Sequence, residues 1–351
     1  MRHLIIITPQ SLLLQIQFFQ YNADMDLELL QFRAKVIQSV RNFFIAKGYL
    51  ETDTPALSPN LIPETCLEVF KTQYLVPWSE KRQDLYLVPS PEIYMKKLIA
   101  RHKVSVFQIS KCYRNVESVG RTHNPEFTML EYYTMNADYR DSLTITENLF
   151  SSILSELKLE QVEGVSLPFE RITMDEAFLK TAGFRLSDCP EPEQLAEKAA
   201  GFGLETDDSY GWDDLYEMIF VHKVEPNLAQ ITKKPLFLMD YPKKVPCLAQ
   251  DSAGSPDCKE RWELYINGIE LANCYSEETD PQKVQEYFER EGGLKCKEAV
   301  VPHRVDENYW KMFNGFPRCS GVAMGVDRLV MCLAGKKSID GVLPFKFDVM
   351  D

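Results

Sequence analysis

Residues 261–280, RWELYINGIELANCYSEETD, constrain the chain more than any other stretch, because two runs of β-type residues meet at Asn267-Gly268. Asn-Gly between such runs is the strongest short-range signal for a two-residue hairpin turn. Simple alternation then sets Ile266 opposite Ile269, Tyr265 opposite Glu270 and Glu263 opposite Ala272. Glu263 and Glu270 become diagonal neighbours on one face, roughly 7–8 Å apart. Like charges so placed repel, so this face is either solvated or built around a cation. Hard oxygen ligands that also meet phosphates suit Mg²⁺.

A second hairpin-like unit spans 107–133, FQISKCYRNVESVGRTHNPEFTMLEYY, as strand, charged loop and strand. Arg114 falls near the end of the first strand, and the loop holds Glu117, Arg121, His123, Asn124 and Pro125. The period of two places Phe127, Met129, Glu131 and Tyr133 on one face. At about 3.3 Å per residue, Phe127 and Tyr133 are roughly 20 Å apart. That span lets an aromatic stack a base at one end while polar groups hold a second, smaller substrate at the other. An amphipathic hairpin with an ordinary aromatic core face has the same pattern.

Three further stretches frame these two. Between Asp26 and Lys47 the residues Leu29, Leu30, Val36, Ile37, Val40, Phe43 and Phe44 form a helical stripe that stops before Gly48, and YLETDTP follows as a short strand ended by Pro55. In LYLVPSPEIYMKKLIAR, residues 85–101, a strand turns at Ser90 and Glu92 into a helix bearing Lys96, Lys97 and Arg101. Ser90 and Glu92 read there as caps or as ligand groups. In CSGVAMGVDRLVMCLAG, residues 319–335, a strand with Gly321 and Gly325 runs into a helix whose first turn carries Arg328. The glycines leave room for a ligand lying flat, and Arg328 can reach phosphate oxygens. Close strand–helix packing would use the same pattern.

Composition excludes other classes. With 39 Lys and Arg against 52 Asp and Glu, the net charge of −13 argues against a broad basic surface for nucleic acid. The nine cysteines contain no CxxC pair, which favours reduced thiols in a cytoplasm over a disulfide scaffold or a zinc site. Residues 1–25 form an extension whose apolar runs are interrupted at Pro9 and Gln10 and lack a cleavage site, unlike a signal peptide. No stretch is long enough to span a membrane. Residues 136–230 are mostly helical, an insertion expected to shape one rim of a site.

Together, the helix–strand–proline of 26–55, the segment HNPEFTMLEYY and the segment GVAMGVDR resemble, in order, the three signature motifs of class II aminoacyl-tRNA synthetases. HNPEFTMLEYY is closest to the lysine-specific branch. The SPE, GRxHNPEFTMLE and GVAxGVDR patterns are similar to those of the short paralogues that modify elongation factor P. The resemblance covers residue 26 to the end. It implies an α+β fold, with a mainly antiparallel sheet of about six strands flanked by helices, and a homodimer joined through the first motif.

The resemblance also implies roles. ATP and Mg²⁺ would activate a lysine-type amino acid as its adenylate, with Arg114 on the α-phosphate and substrate carboxylate and Arg328 on the γ-phosphate. Glu263 and Glu270 would hold the metal. Phe127 would stack adenine, and Glu117, His123, Asn124, Leu271 and Gly325 would complete the nucleotide site. Ser90, Glu92, Tyr133, Asn273 and Glu277 would hold lysine or β-lysine. Strict alternation puts Asn273 on the wrong face, so a bulge or strand end near Ala272 is required. Ala323 stands where tRNA-charging lysine enzymes tend to have glycine, and its methyl either shapes the pocket toward (R)-β-lysine or only packs the strand. One departure is Arg114-Asn115-Val116-Glu117, which moves the acid one place from the family's Arg-x-Glu. Since about 25 residues precede the first motif, no anticodon-binding domain is expected, and elongation factor P is a likelier acceptor than tRNA. Charging of tRNA or another small acceptor, and a non-catalytic regulatory role, are the alternatives.

Overall fold

Asp26 starts the first helix, α1 (Leu27–Ala46), by accepting from the N–H groups of Glu28 at 2.9 Å and Leu29 at 3.4 Å, and Gly48 beyond its far end takes φ +79°. A computed structural model describes the chain over residues 26–347; the extension 1–25 lies outside the described residues. After α1 come β1 (Leu50–Glu51), β2 (Leu57–Ser58), β3 (Lys71–Leu75), β4 (Arg82–Leu87) and α2 (Glu92–His102). The long strands β5 (Val106–Tyr113) and β6 (Glu126–Met135) lead to α3 (Tyr139–Glu156). Strand β7 (Glu170–Thr173) opens a stretch with helices α4 (Met174–Ala182), α5 (Pro192–Gly201), α6 (Trp212–Ile219) and α7 (Leu228–Ile231). Then follow β8 (Leu236–Pro242), β9 (Cys258–Ile266), β10 (Ile269–Ser276), α8 (Pro281–Glu298), β11 (Cys319–Gly325) and α9 (Val326–Leu333).

The main sheet has eight strands in the order β1-β5-β6-β11-β10-β9-β8-β7, and β2-β4-β3 form a separate sheet. The inner pairs are antiparallel, while the edge pairs β1–β5 and β7–β8 are parallel. The expected count of about six strands is therefore two short. The added edges are two and four residues long, too short for alternation to register in sequence.

Asn267 and Gly268 both take positive φ, 52° and 76°, and join β9 to β10 in the expected turn. Ile266 pairs with Ile269 and Tyr265 with Glu270, but the register then shifts: Leu264 meets Ala272, and Glu263 meets Asn273 instead of Ala272. Leu271 is the extra residue of a β-bulge. The bulge turns Asn273 onto the face that carries Glu263. Across four strands, Glu131, Ala323, Asn273 and Glu263 then form one row, with Tyr133, Gly321, Tyr275 and Arg261 as the next.

The opposite face is apolar. Leu130, Tyr132, Val322, Met324, Cys274, Trp262 and Leu264 pack there against α1, α3 and α9. Phe44 of α1 stacks on Phe107 at 5.1 Å and lies 4.7 Å from the Tyr132 ring. At one edge of this core, Arg33 is tied by its Nη2 to Asp327 Oδ1 at 2.7 Å and to Thr128 Oγ1 at 2.9 Å. Asp327 Oδ2 accepts from the Thr128 N–H at 2.7 Å. Asp327→Ala would leave the guanidinium buried and unpaired, which is expected to cost about 3–5 kcal/mol. Denaturant unfolding checks this; a loss below about 1 kcal/mol, the worth of an exposed pair, would show that the pair does not anchor α1.

Candidate active site

Three adjoining cavities open on the polar face of the sheet, and Arg114 and Asn273 line all three. The first, about 150 Å³, brings together every residue expected around a nucleotide: Arg114, Glu117, His123, Asn124 and Phe127 from the β5–β6 unit, Glu270 and Leu271 from β10, and Gly325 and Arg328 from the third motif. The second, about 100 Å³, gathers Ser90, Glu92, Tyr133, Asn273, Glu277 and Ala323, together with Glu131. The third, about 850 Å³, lies outside them and takes in Glu263 and Glu270.

At the nucleotide end, the Arg114 guanidinium lies 5.1 Å from the Phe127 ring centroid, so the two share the face expected to stack a base. Arg114 Nε is buried without a hydrogen-bond partner among the described residues, a charged donor left for an anionic group. Arg328 donates from Nε to Thr122 O at 3.1 Å and from Nη1 to Glu270 O at 2.6 Å, and Nη1 lies 3.6 Å from the Glu270 carboxylate. Val116 takes φ +55°, and past this turn the displaced acid Glu117 lines the cavity, 3.6 Å from His123 Nε2. Burial and the Arg328 charge lower the His123 pKa, favouring neutral imidazole at pH 7. Asn124 is committed to the backbone, donating to Glu126 O at 2.5 Å and accepting from Phe347 N–H at 2.9 Å.

Glu270 keeps 40% of its side-chain surface accessible, yet it lies deep in the cleft, where desolvation and the Glu263 charge hold its carboxyl above the usual range. Glu263 is more engaged: Oε1 accepts from Arg261 at 2.6 Å and Oε2 from the Tyr265 hydroxyl at 2.7 Å. Among the described residues no group of three or more His, Cys, Asp or Glu is placed to cage a metal. Glu263 and Glu270 line one cavity beside Arg114, a pair of hard oxygen donors whose chemistry fits Mg²⁺.

The inner end is a nest of carboxylates. Glu131 accepts from the Ser90 hydroxyl at 2.7 Å and the Tyr133 hydroxyl at 2.6 Å, and burial, with Glu92 adding to it, lifts its carboxyl to about 8. Glu277, 2% exposed, is lifted by burial to about 7 although Lys96 pulls the other way. A side chain at Gly321 would collide with Glu277 Oε1 and the Tyr133 ring, so the strand needs glycine there to seat both. Asn273 is oriented from both sides, its Oδ1 accepting from Arg261 Nε and its Nδ2 donating to the Tyr275 hydroxyl, each at 3.2 Å.

Sequence patterns missed several members of this site. Lys96, 1% exposed, places Nζ 2.5 Å from Glu92 Oε1 and 2.6 Å from Glu277 Oε2. Burial opposes its charge, but the two carboxylates outweigh burial and hold it well above its usual pKa. The Glu92–Lys96 i,i+4 spacing was the available signal. Arg261 and Tyr275 were hidden in the second row of the sheet, and Glu64 sits in the loop after β2, where no periodicity applies. The helical stretch contributes Asp213, Asp214 and Glu217 of α6 to the lining of the outer cavity, which also includes Glu291 and Glu298 of α8.

A family model described as tRNA synthetases class II (D, K and N) matches residues 10–348. An elongation factor P–(R)-β-lysine ligase of Histophilus somni is 34% identical over 330 residues, covering 94% of this chain and 98% of that protein. A ligase of the same description from Vibrio vulnificus is 34% identical, covering 92% and 97%. A lysine–tRNA ligase of Carboxydothermus hydrogenoformans is also 34% identical, covering 89% of this chain but 64% of its own length. The chain belongs to the class II tRNA synthetase family of the D, K and N type, a family of ATP-using ligases.

Proposed function

We propose that the protein activates a lysine-type amino acid, (R)-β-lysine, with ATP and ligates it to a lysine of elongation factor P. The observation that carries this reading is the junction at Arg114 and Asn273: a cavity flanked by two arginines and an aromatic adjoins one walled by Glu92, Glu131 and Glu277. The amino-acid carboxylate attacks the α-phosphorus, a new O–P bond forms, and pyrophosphate leaves. Arg114 lies where the two substrates meet and stabilises charge on the α-phosphate; Arg328 steadies the γ-phosphate. Glu117, His123, Asn124, Phe127, Leu271 and Gly325 shape the adenosine side. Glu270 and Glu263 would hold Mg²⁺, which when bound neutralises charge on the phosphate oxygens. Glu277, Glu92, Ser90, Tyr133 and Asn273 receive the ammonium groups of the substrate.

The names of the Histophilus and Vibrio relatives support this acceptor and this isomer. So does the outer cavity, whose acid-rich walls favour a cationic amine over a polyanionic RNA end. Transfer to tRNA remains as a second reading because of the lysine–tRNA ligase relative. Exposed Leu27 and Ile45 on α1 and Leu50 on β1 support a homodimer through the first motif. Nine free thiols are in keeping with a cytoplasmic location, and among the described residues no helix is long and apolar enough to cross a membrane.

Incubation with labelled lysine isomers, ATP, elongation factor P and bulk tRNA tests the acceptor: label is expected on the protein, and label on tRNA alone would refute the proposal. The isomer is tested at Ala323, which lines both the first and second cavities and pairs with Asn273 and Glu131. Ala323→Gly is expected to shift kcat/KM from (R)-β-lysine toward α-lysine by about 1–3 kcal/mol. An unshifted ratio would remove Ala323 from the selection.

A further inference from the structure

Among the described residues only two carboxylates line both the inner and the outer cavity, Glu64 and Glu92. Glu92 is engaged, with Lys96 Nζ 2.5 Å from its Oε1. The other inner carboxylates are also held, Glu131 by Ser90 and Tyr133 and Glu277 by Lys96. Glu64 makes no ion pair or side-chain hydrogen bond among the described residues. It therefore stands free at the passage through which an amine from outside must reach an adenylate formed inside.

Such an amine arrives charged. A lysine ε-ammonium has a pKa of about 10.4, and acidic surroundings favour its proton further. The nitrogen cannot attack until that proton is removed. We propose that Glu64 is the general base of the transfer half-reaction, taking a proton from the attacking acceptor amine. The proposal rests on the acceptor reading above. The carboxylate takes the first proton of the ammonium, the freed nitrogen forms a C–N bond to the adenylate carbonyl carbon, and the bond from that carbon to the phosphate oxygen breaks. AMP leaves with the electron pair. The second proton passes from nitrogen to the departing phosphate or to water, and Glu64 returns its own to solvent.

The surroundings suit that task. Burial, with the Glu92 charge adding to it, lifts the Glu64 carboxyl to about 7, while Arg114, Lys96 and Lys295 pull it down. Cys66, Tyr275 and Tyr287 also sense its charge. A base poised near the working pH is the most effective.

The test compares two half-reactions in the full-length enzyme and its Glu64→Gln and Glu64→Asp variants: ATP–pyrophosphate exchange with (R)-β-lysine, and single-turnover transfer from preformed adenylate to elongation factor P between pH 6 and 9. In Glu64→Gln the transfer rate is expected to fall by about 10²-fold or more, far more than exchange, and to lose its rise through about pH 7. Glu64→Asp should recover part of both. Equal loss in the two half-reactions, or an unchanged transfer rate and pH profile, would overturn the assignment. If the unsubstituted enzyme transfers nothing to protein, the acceptor reading itself fails and the assignment falls with it, an outcome visible without any variant.

Discussion

Arg114→Ala is expected to lower the rate of adenylate formation by about 10²–10³-fold, the range seen when one transition-state donor is removed. Arg114 is the one cation lining all three cavities among the described residues, with its Nε unpartnered and its guanidinium against Phe127. The donor is already desolvated without a ligand, so in the proposed role its worth would be realised as charge builds on the α-phosphate. Arg114→Lys keeps the charge but loses the planar fork and is expected to recover little of the rate. Exchange kinetics with saturating ATP read this directly. If kcat holds and only the KM for ATP rises, Arg114 binds the ground state and not the reacting geometry.

Glu277→Gln is expected to act on the other substrate. Loss of a charge-assisted bond of this kind costs about 1.5–3 kcal/mol, so the KM for the lysine substrate should rise roughly ten- to a hundredfold with a smaller change in kcat. The pH dependence has a definite sign. Burial lifts the Glu277 carboxyl to about 7 despite Lys96, and the protonated form cannot hold an ammonium ion. In the unsubstituted protein kcat/KM for the lysine substrate is therefore expected to fall as the pH drops through about 7, and Glu277→Gln should flatten that limb. A variant with unchanged KM and the same limb would place the ammonium site elsewhere.

Much of this was legible in the chain because the site lies on strands whose period is short. Asn267-Gly268 specified the turn, and the alternation of Phe127, Met129, Glu131 and Tyr133 specified which side chains share a surface. The bulge at Leu271 could be inferred only as a conflict, since alternation and the placement of Asn273 on the ligand face cannot both hold without one extra residue. Alternation alone paired Glu263 with Ala272 and was wrong by one residue. Lys96 escaped because a basic residue on a helix usually faces water; its burial comes with the ion pair to Glu277, just past the end of β10, a tertiary event with no local mark. Glu64 sits between Pro63 and Thr65 outside any periodic element, and the acids of α6 reveal their destination only once the helical stretch packs beside the sheet. The edge strand β7 escaped for a similar reason, its parallel pairing with β8 being long-range and four residues long.

The central claim is that the Arg114 junction joins ATP to a lysine-type amino acid. ATP–pyrophosphate exchange across a panel of amino acids measures that event alone, before any acceptor is involved. Exchange is expected with (R)-β-lysine, more weakly with α-lysine, and at background with aspartate and asparagine, which lack the second ammonium group proposed to meet the carboxylates of the inner cavity. Background exchange with every lysine isomer would contradict the account.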